Sequence, residues 1–294
     1  MFAAIGTYLW QSLIINQKIL VDWHTIKTDW HYFDFILIVL AIILLPVNWI
    51  LEVIKWQVIA QKSNLRLGEA ARGVILGLTL DNVLPMGSGS ISGRIITLPK
   101  AHRIKSVPGI LVGQIIQSII TFSFGLYGFV LVWERASTLF NWQIAHSLVL
   151  IIALLAIGLS LFFWRDRIFK FMQPLKHYSK RSWLIIFTLS FARYLVFLIQ
   201  FMILARIFSP ELDLALAFGC ATWVFSARTF MPKVSNIEGL GIRALAVVFF
   251  MNLYNLPPAG LLIAVFLLWF INLAIPSLVG LSFFRSLKMD SLLK

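Results

Sequence analysis

Charged residues and cysteine are both scarce in this chain of 294 residues. Asp, Glu, Lys and Arg together make up 13% of it, whereas 60% is hydrophobic. A soluble domain carries about 25% charged residues and could not bury so much apolar surface. Cys220 is the only cysteine, which excludes an internal disulfide framework or a cysteine-based metal site. The composition therefore predicts an all-α polytopic membrane protein.

Acidic residues are the scarcer of the two charged classes. The chain has 12 Asp and Glu against 25 Lys and Arg, a formal net charge of +13. A basic excess of this size can serve nucleic acid, but in a membrane protein Lys and Arg gather in cytoplasmic loops that face anionic lipid. We therefore expect the membrane as a partner and no nucleic acid.

Recognisable catalytic and cofactor motifs are missing too. The five histidines form no HExxH pattern, and Gly87, Gly89 and Gly93 do not have the dinucleotide-binding spacing. The repeated triplets 22–24 and 29–31 (Asp-Trp-His) could pair around a metal, but a Trp-rich interfacial helix explains them more simply. The sequence thus predicts no metal site and no cofactor, and it offers no catalytic motif that would mark an enzyme.

Long apolar runs are abundant instead. A membrane-spanning helix needs about 20 apolar residues. Six segments qualify, the first being the shortest: 2–17, 33–60, 107–133, 146–164, 182–206 and 257–283.

Two further apolar segments, 70–98 and 214–252, are interrupted. The first contains Pro85 and a Gly/Ser run, and the second contains Pro232 and a Gly-Leu-Gly sequence that ends at Gly241. Proline removes a helix donor and glycine favours non-helical backbone, so neither segment is expected to be one continuous helix. Broken segments of this kind mark the binding site in transporter-like folds.

The chain forms a single membrane domain, 1–294, whose halves (about 1–140 and 141–294) repeat. Each half has the order span, span, interrupted segment, span, and Arg94 and Arg243 lie 149 residues apart. If both interrupted segments are re-entrant hairpins, the basic loops around Lys62, Arg103 and Lys176 all lie in the cytoplasm, as the positive-inside rule favours. Each half then has three crossings, which predicts an inverted repeat of six spanning helices and two re-entrant hairpins, with both termini cytoplasmic.

Polar residues inside the spans are the first candidates for substrate binding. Asn48 and Glu52 share one helical face, and Glu52 can pair with Lys55 three residues on. Ionisable groups at membrane depth face the bundle interior or water. We expect Asn48 and Glu52 to point inward and Lys55 to extend towards the headgroups. Arg193 lies in the middle of the matching span, where arginine has no cheap neutral form.

The interrupted segments supply the remaining candidates. Their second limbs should begin near mid-membrane, where a helix N-terminus favours an anion, and guanidinium groups suit phosphate. We therefore expect an anionic headgroup from a phospholipid or a lipid-linked phosphate. The alternative is an internal network in which Asp81 neutralises Arg94 and Glu238 neutralises Arg243. These candidates are Asp81, Gly89, Arg94, Arg228, Glu238 and Arg243.

Two motifs carry a family resemblance. The first is Asn48-Trp49-x-Leu51-Glu52-x-x-Lys55-Trp56, followed by Gly77-Leu78-Thr79-Leu80, Pro85, Gly89 and Gly93-Arg94; the second is Pro232…Gly241-Ile242-Arg243. With both, the chain resembles the flippase-like family that forms the membrane region of lysylphosphatidylglycerol synthases. The resemblance implies an inverted-repeat membrane fold with re-entrant helices and, for the best-understood members, lipid translocation between leaflets.

The chain departs from that family at two acidic positions. Ser90 stands where the pattern usually has Glu, and Ala244 stands where a Glu often follows the second arginine. These departures leave the substrate and any proton coupling open. The aminoacyl-transfer domain of the full synthases has no counterpart here, so we do not expect synthase activity.

The favoured function is flipping or transport of a lipid or lipid-linked anion across the inner membrane by alternating access. One alternative is a non-catalytic membrane partner of a glycosyltransferase or another envelope enzyme. The other is a membrane lipid-phosphate transferase that would rely on Asp81 and Glu238.

Overall fold

The computed structural model describes residues 31–84, 87–136, 170, 172–231 and 236–284, and within these ranges it contains helices and turns but no strand. The predicted spans 2–17 and 146–164 lie outside the described residues, as do Pro85, Pro232 and most of the two Asp-Trp-His triplets. The described helices are α1 (Tyr32–Ile59), α2 (Leu67–Leu80), α3 (Ser88–Ile96), α4 (Lys100–Ala136), α5 (Lys180–Phe208), α6 (Leu214–Phe230), α7 (Asn236–Leu253), α8 (Ala259–Trp269) and α9 (Ile275–Phe284).

Four helical segments are long and apolar enough to cross a membrane. They are Tyr32–Ile59, Lys100–Arg135, Lys180–Phe208 and Ala259–Phe283, the last formed by α8 and α9 joined through a π-helical turn. They confirm the predicted spans 33–60, 107–133, 182–206 and 257–283. Many large apolar side chains on these helices are exposed, for example Phe33, Ile119, Leu184 and Leu278. Such surfaces suit a lipid environment, so the chain is a multi-pass membrane protein.

The first interrupted segment folds as two short antiparallel helices, α2 and α3, which we call the first hairpin. Gly87 precedes α3 in the left-handed conformation (φ 76°), which glycine adopts without a side-chain clash. A Cβ at Gly93 would overlap the backbone nitrogen of Gly77, and a Cβ at Gly89 would overlap the backbone of residues 80–81. The small residues therefore let the two helix backbones touch.

The second interrupted segment also folds as two antiparallel helices, α6 and α7, the second hairpin. Asp213 caps α6 by accepting hydrogen bonds from the backbone N–H groups of Ala215 and Leu216. Trp223 on α6 donates from Nε1 to the carbonyl of Ala246 on α7 at 3.2 Å. These contacts hold the two limbs together.

Two apolar cores support the hairpins. The larger core joins α5, α6, α7 and α8 around Phe201, Phe250 and Leu261. The smaller core joins α1, α2 and α4 around Trp56, Val74 and Ile110. Helix α1 packs along α5, α4 along α6, and α9 along α2. This arrangement brings the polar faces of α1, α3 and α5 together.

Candidate functional site

Glu52 is the centre of a buried charged cluster. Its Oε1 lies 2.5 Å from Nη2 of Arg94 on α3, and its Oε2 lies 2.7 Å from Nζ of Lys55, one turn along α1. Nη1 of Arg193 on α5 also pairs with Oε2. Three cations from three helices thus surround one carboxylate that is 6% exposed. We call Asn48 and these four residues the Glu52 cluster.

Asn48 extends the cluster along the same face of α1. Its Oδ1 accepts a hydrogen bond from Nε of Arg193 at 2.8 Å, while the guanidinium carbon of Arg193 lies 5.5 Å from the ring centroid of Phe197. Asn48 and Glu52 therefore hold one arginine between them, as their spacing of four residues on a helix allows. The inward orientation expected of Asn48 and Glu52 is what the structure has.

A chain of buried amides continues from the cluster into the last span. Nδ2 of Asn48 donates to Oδ1 of Asn272 at 3.1 Å, and Nδ2 of Asn272 donates to Oε1 of Gln200 at 3.0 Å. Gln200 in turn donates to the carbonyl of Ala41 at 2.8 Å. Sequence reasoning missed Asn272, although an amide within the apolar run 257–283 is itself a signal, because buried polar groups in a span require partners.

The expectation for Lys55 was wrong. Its side chain does not reach the headgroups but is buried, 4% exposed, with its ammonium group on Glu52. The reason is that α4 covers this face of α1: Lys55 and Glu52 line a small cavity together with Gly113 and Gln114. The pairing of Glu52 with Lys55, three residues apart, is confirmed.

Ser90 connects the Glu52 cluster to the turn of the first hairpin. Arg94 donates from Nη1 to the carbonyl of Ser90 at 2.9 Å and also to its Oγ. The backbone N–H of Ser90 donates to Oδ1 of Asp81 at 2.8 Å. The acidic partner of Arg94 is therefore Glu52. The internal-network alternative, which paired Arg94 with Asp81, was wrong on this point. Asp81 instead has a favourable electrostatic interaction with Arg228 of the second hairpin.

Arg228 and Arg243 lie side by side in the second hairpin, and we call them the arginine pair. Nε of Arg228 and Nη1 of Arg243 would be 3.8 and 3.9 Å from a Cβ at Gly239. Arg243 donates to the carbonyl of Gly239 at 3.4 Å, and the two guanidinium groups repel each other. The side chain of Glu238 lies outside the description, so its predicted pairing with Arg243 remains a prediction.

Gly89 has a structural contact that the sequence did not reveal. It is buried, and the backbone that approaches it closely is that of residues 80–81 on α2. Its expected place beside a ligand remains a prediction.

The Glu52 cluster leaves little free space around its charged groups. The cavity beside Glu52, Lys55 and Arg94 has a volume of about 20 Å³, enough for a water molecule, which needs about 10–15 Å³. Three cations and one carboxylate leave two positive charges in excess. Chemically, the cluster offers guanidinium and ammonium donors to an anion.

Comparison with known proteins supports the resemblance carried by the two motifs. The family model described as the lysylphosphatidylglycerol synthase transmembrane region matches residues 13–280. No curated protein and no solved structure is detectably similar to the chain. The matched range contains every residue of the Glu52 cluster and the arginine pair, and it covers most of the 294 residues. The chain belongs to the lysylphosphatidylglycerol synthase transmembrane-region family.

Proposed function

We propose that the protein moves a lipid with an anionic headgroup, a phospholipid or a lipid-linked phosphate, between the leaflets of the inner membrane. The headgroup binds between the Glu52 cluster and the arginine pair, which Ser90 and Asp81 connect. Membership of a family named for a lipid-modifying synthase supports a role in lipid handling.

The observation that carries the proposal is the excess of positive charge in the Glu52 cluster and the arginine pair, where Lys55 and Arg94 are buried and the other three arginines are half-buried. Glu52 compensates only one of the three cations around it, and Arg228, which Asp81 attracts, is repelled by Arg243. Burying a charge without a partner is costly in free energy. Entry of an anion into such a site therefore lowers its free energy. Guanidinium groups bind phosphate oxygens in a bidentate manner.

The proposed mechanism is alternating access in an inverted repeat. In this reading the two hairpins are re-entrant, enter from opposite faces and leave both termini in the cytoplasm. The limbs of the first hairpin, 14 and 9 residues long, are too short to span, and both antiparallel hairpins carry arginines, which supports this mechanism. In transporters with this arrangement, one repeat rocks against the other around a fixed central site. The small cavity beside Glu52 would then belong to one state of the cycle.

The test is lipid movement in reconstituted vesicles. Fluorescent phosphatidylglycerol should become accessible to an impermeant quencher in the presence of the protein, while fluorescent phosphatidylcholine should not. Arg193→Gln should slow the movement at least about tenfold, because a hydrogen bond to a charged group contributes about 1.5–3 kcal/mol. Arg206→Gln, an exposed arginine on the same helix, is the matched control and should leave the rate unchanged.

The opposite result is also informative. Wild-type protein that retains anionic lipid through purification but moves none of it would contradict transport. That outcome would favour a static membrane partner of a glycosyltransferase or another envelope enzyme.

The topology is tested separately with introduced cysteines in a Cys220→Ala background. Lys62→Cys, Arg103→Cys and Lys176→Cys should all be protected from an impermeant thiol reagent added outside intact cells. Labelling at position 62 with protection at 103 would mean that segment 70–98 crosses the membrane, and the inverted repeat would be wrong.

A further inference from the structure

A second cavity, larger than the one beside Glu52, lies where α1 ends and α4 begins. It has a volume of about 390 Å³ and is bounded by the turn after α1, the first two turns of α4 and the 3₁₀ turn Gln173–His177. Small-molecule sites usually measure about 300–1,000 Å³. Neither the motifs nor the proposed transport site includes this cavity.

The lining of this cavity is strongly basic. Lysines reach it from three separate elements, and two histidines and a serine complete its polar surface, while no Asp or Glu is among the described residues that line it. These polar lining residues are Lys62, His102, Lys105, Ser106, Lys170 and His177. Three separately positioned ammonium groups can each contact a different oxygen of one ligand.

The N-terminal end of α4 adds to this positive field. His102 and Lys105 lie in the first two turns of that helix, where the helix dipole favours an anion. The hydroxyl of Ser106 already donates to the carbonyl of His102 at 3.0 Å, so its proton is engaged within α4. Lysine, histidine and the helix end therefore act on the same space.

The wall of the cavity is held in place by Tyr178. Its hydroxyl donates to the carbonyl of Ile59 at 2.5 Å, and a Cβ at Gly109 would come within 2.6 Å of that hydroxyl. Burial raises the pKa of Tyr178 to about 12, so the phenol remains a donor at neutral pH. Ile59 also lines the small cavity beside Glu52, so the two cavities share one wall.

We infer that this basic cavity binds a phosphate-bearing group with at least two negative charges. A phosphomonoester carries about −1.5 to −2 at pH 7 and three acceptor oxygens, which matches three lysines better than a carboxylate does. The volume exceeds that of bare phosphate and accommodates an organic phosphate. The group belongs either to a soluble phosphate compound or to a lipid headgroup. The inference goes beyond the proposed transport site, since binding here requires no lipid movement.

The first experiment measures pyrophosphate binding to the purified full-length chain by isothermal titration calorimetry. The test variant replaces Lys62, Lys105 and Lys170 with Gln. The matched control replaces Lys176, Lys180 and Arg181 with Gln, which removes the same net charge from nearby exposed positions that do not line the cavity. The test variant should bind at least about tenfold more weakly, since hydrogen bonds to charged groups are strong, and the control should bind within about threefold of wild type because its side chains do not line the cavity.

Two results would overturn the inference. Equal weakening in both triple variants would show a general surface-charge effect. Loss of pyrophosphate binding in Arg193→Gln with the test variant unaffected would place the anion in the Glu52 cluster instead. Failure of lipid movement with intact, lysine-dependent pyrophosphate binding would overturn the transport proposal and leave this site standing.

The second experiment identifies the source of the phosphate. Native mass spectrometry compares retention of phosphatidic acid and phosphatidylcholine in the wild type and in both triple variants. Retention of phosphatidic acid that depends on the three lining lysines and is displaced by pyrophosphate indicates a lipid headgroup. Pyrophosphate binding without lysine-dependent lipid retention indicates a soluble phosphate compound. If neither pyrophosphate nor phosphatidic acid binds the wild type, the inference is wrong.

Discussion

The two hairpins are alike in outline but differ in how their limbs meet. In the first hairpin the backbones of α2 and α3 touch, so that a Cβ at Gly89 or Gly93 would overlap the opposite helix. In the second hairpin a Cβ at Gly241 would meet no described atom within 4 Å, and a Cβ at Gly239 would meet only guanidinium atoms at its limit. The first hairpin is closed by packing, whereas in the second the described atoms leave room at Gly239 and Gly241.

The two hairpins also differ in the partners of their arginines. Arg94 of the first hairpin donates to the carboxylate of Glu52 and to Ser90. In the second hairpin, Arg228 and Arg243 repel each other, and the carboxylate that attracts Arg228 is Asp81 from the first hairpin. Arg94 of the first hairpin therefore has a counter-ion, Glu52 on α1, whereas the arginine pair of the second hairpin consists of two mutually repelling guanidinium groups, one of them attracted by Asp81.

Removing the carboxylate of Glu52, the counter-ion of Arg94 in the first hairpin, should have the largest effect on stability. Glu52→Gln leaves three buried cations without a carboxylate, and breaking a buried ion pair costs about 3–5 kcal/mol. We expect a lower unfolding temperature in detergent and loss of the monodisperse peak in size-exclusion chromatography. Glu211→Gln, which removes an exposed carboxylate, is the control and should behave like the wild type.

A double variant sharpens this prediction. Adding Lys55→Met to Glu52→Gln removes one of the stranded cations and should recover part of the lost stability. If Glu52→Gln alone is as stable as the wild type, the first hairpin does not depend on its counter-ion and the comparison fails.

The next largest effect is expected at the arginine pair, on binding rather than on stability. Arg243→Gln removes a guanidinium that repels Arg228, so the unfolding temperature should stay close to that of the wild type. The binding free energy of anionic lipid should weaken by about 1.5–3 kcal/mol, since a charge-assisted hydrogen bond is lost. Lipid retention should therefore fall roughly ten- to hundredfold. Arg94→Gln should instead lower both lipid retention and stability.

Lipid retention by native mass spectrometry and unfolding by differential scanning fluorimetry separate the two cases. Equal destabilisation by Arg243→Gln and Arg94→Gln would remove the distinction between the hairpins, because both arginines would then be structural.

The smallest effect concerns the packing of the limbs. Gly93→Ala places a Cβ against the backbone of Gly77, and overpacking of this kind costs about 1–3 kcal/mol. Gly241→Ala has room and should be neutral or stabilising by up to about 1 kcal/mol, because alanine is the better helix former. Gly68→Ala, in α2 but with no atom nearby, is the control within the first hairpin. Thermal unfolding of the three variants measures the difference, and destabilisation of equal size in all three would contradict the packing argument.

Much of the fold follows from local sequence. Apolar length predicts the four described spans, and the positions of the prolines and glycines predict the breaks at 70–98 and 214–252. The face shared by Asn48 and Glu52 follows from the helical period, as does the pairing of Glu52 with Lys55. Features that depend on residues three or four positions apart could therefore be predicted from the sequence.

The acidic partner of Arg94 and the burial of Lys55 could not be predicted in this way. Arg94 is 13 residues from Asp81 and 42 from Glu52, and only the approach of α3 to α1 in the folded chain decides between those carboxylates. Where the family pattern usually has an acid, Ser90 instead offers its carbonyl and hydroxyl to Arg94. The burial of Lys55 depends on α4, more than 50 residues further along the chain, covering α1. Tertiary packing, which a hydropathy profile does not contain, decides each of these cases.

The π-helical turn Phe270–Ala274 sets the rotational phase of the last helix. Helix α8 packs on α5, and after the turn α9 packs on α2, where Ser277 donates from Oγ to the carbonyl of Leu78 at 3.3 Å. A π turn contains one residue more than the corresponding α-helical turn, and each residue rotates a helix by about 100°. Deleting one residue from Phe270–Ala274 would therefore turn Ser277 and Gly280 away from α2, while the apolar character of the helix would be unchanged. In this span an insertion or deletion of one residue rotates all of α9 about its axis. The number of residues is therefore constrained more tightly here than the identity of each side chain.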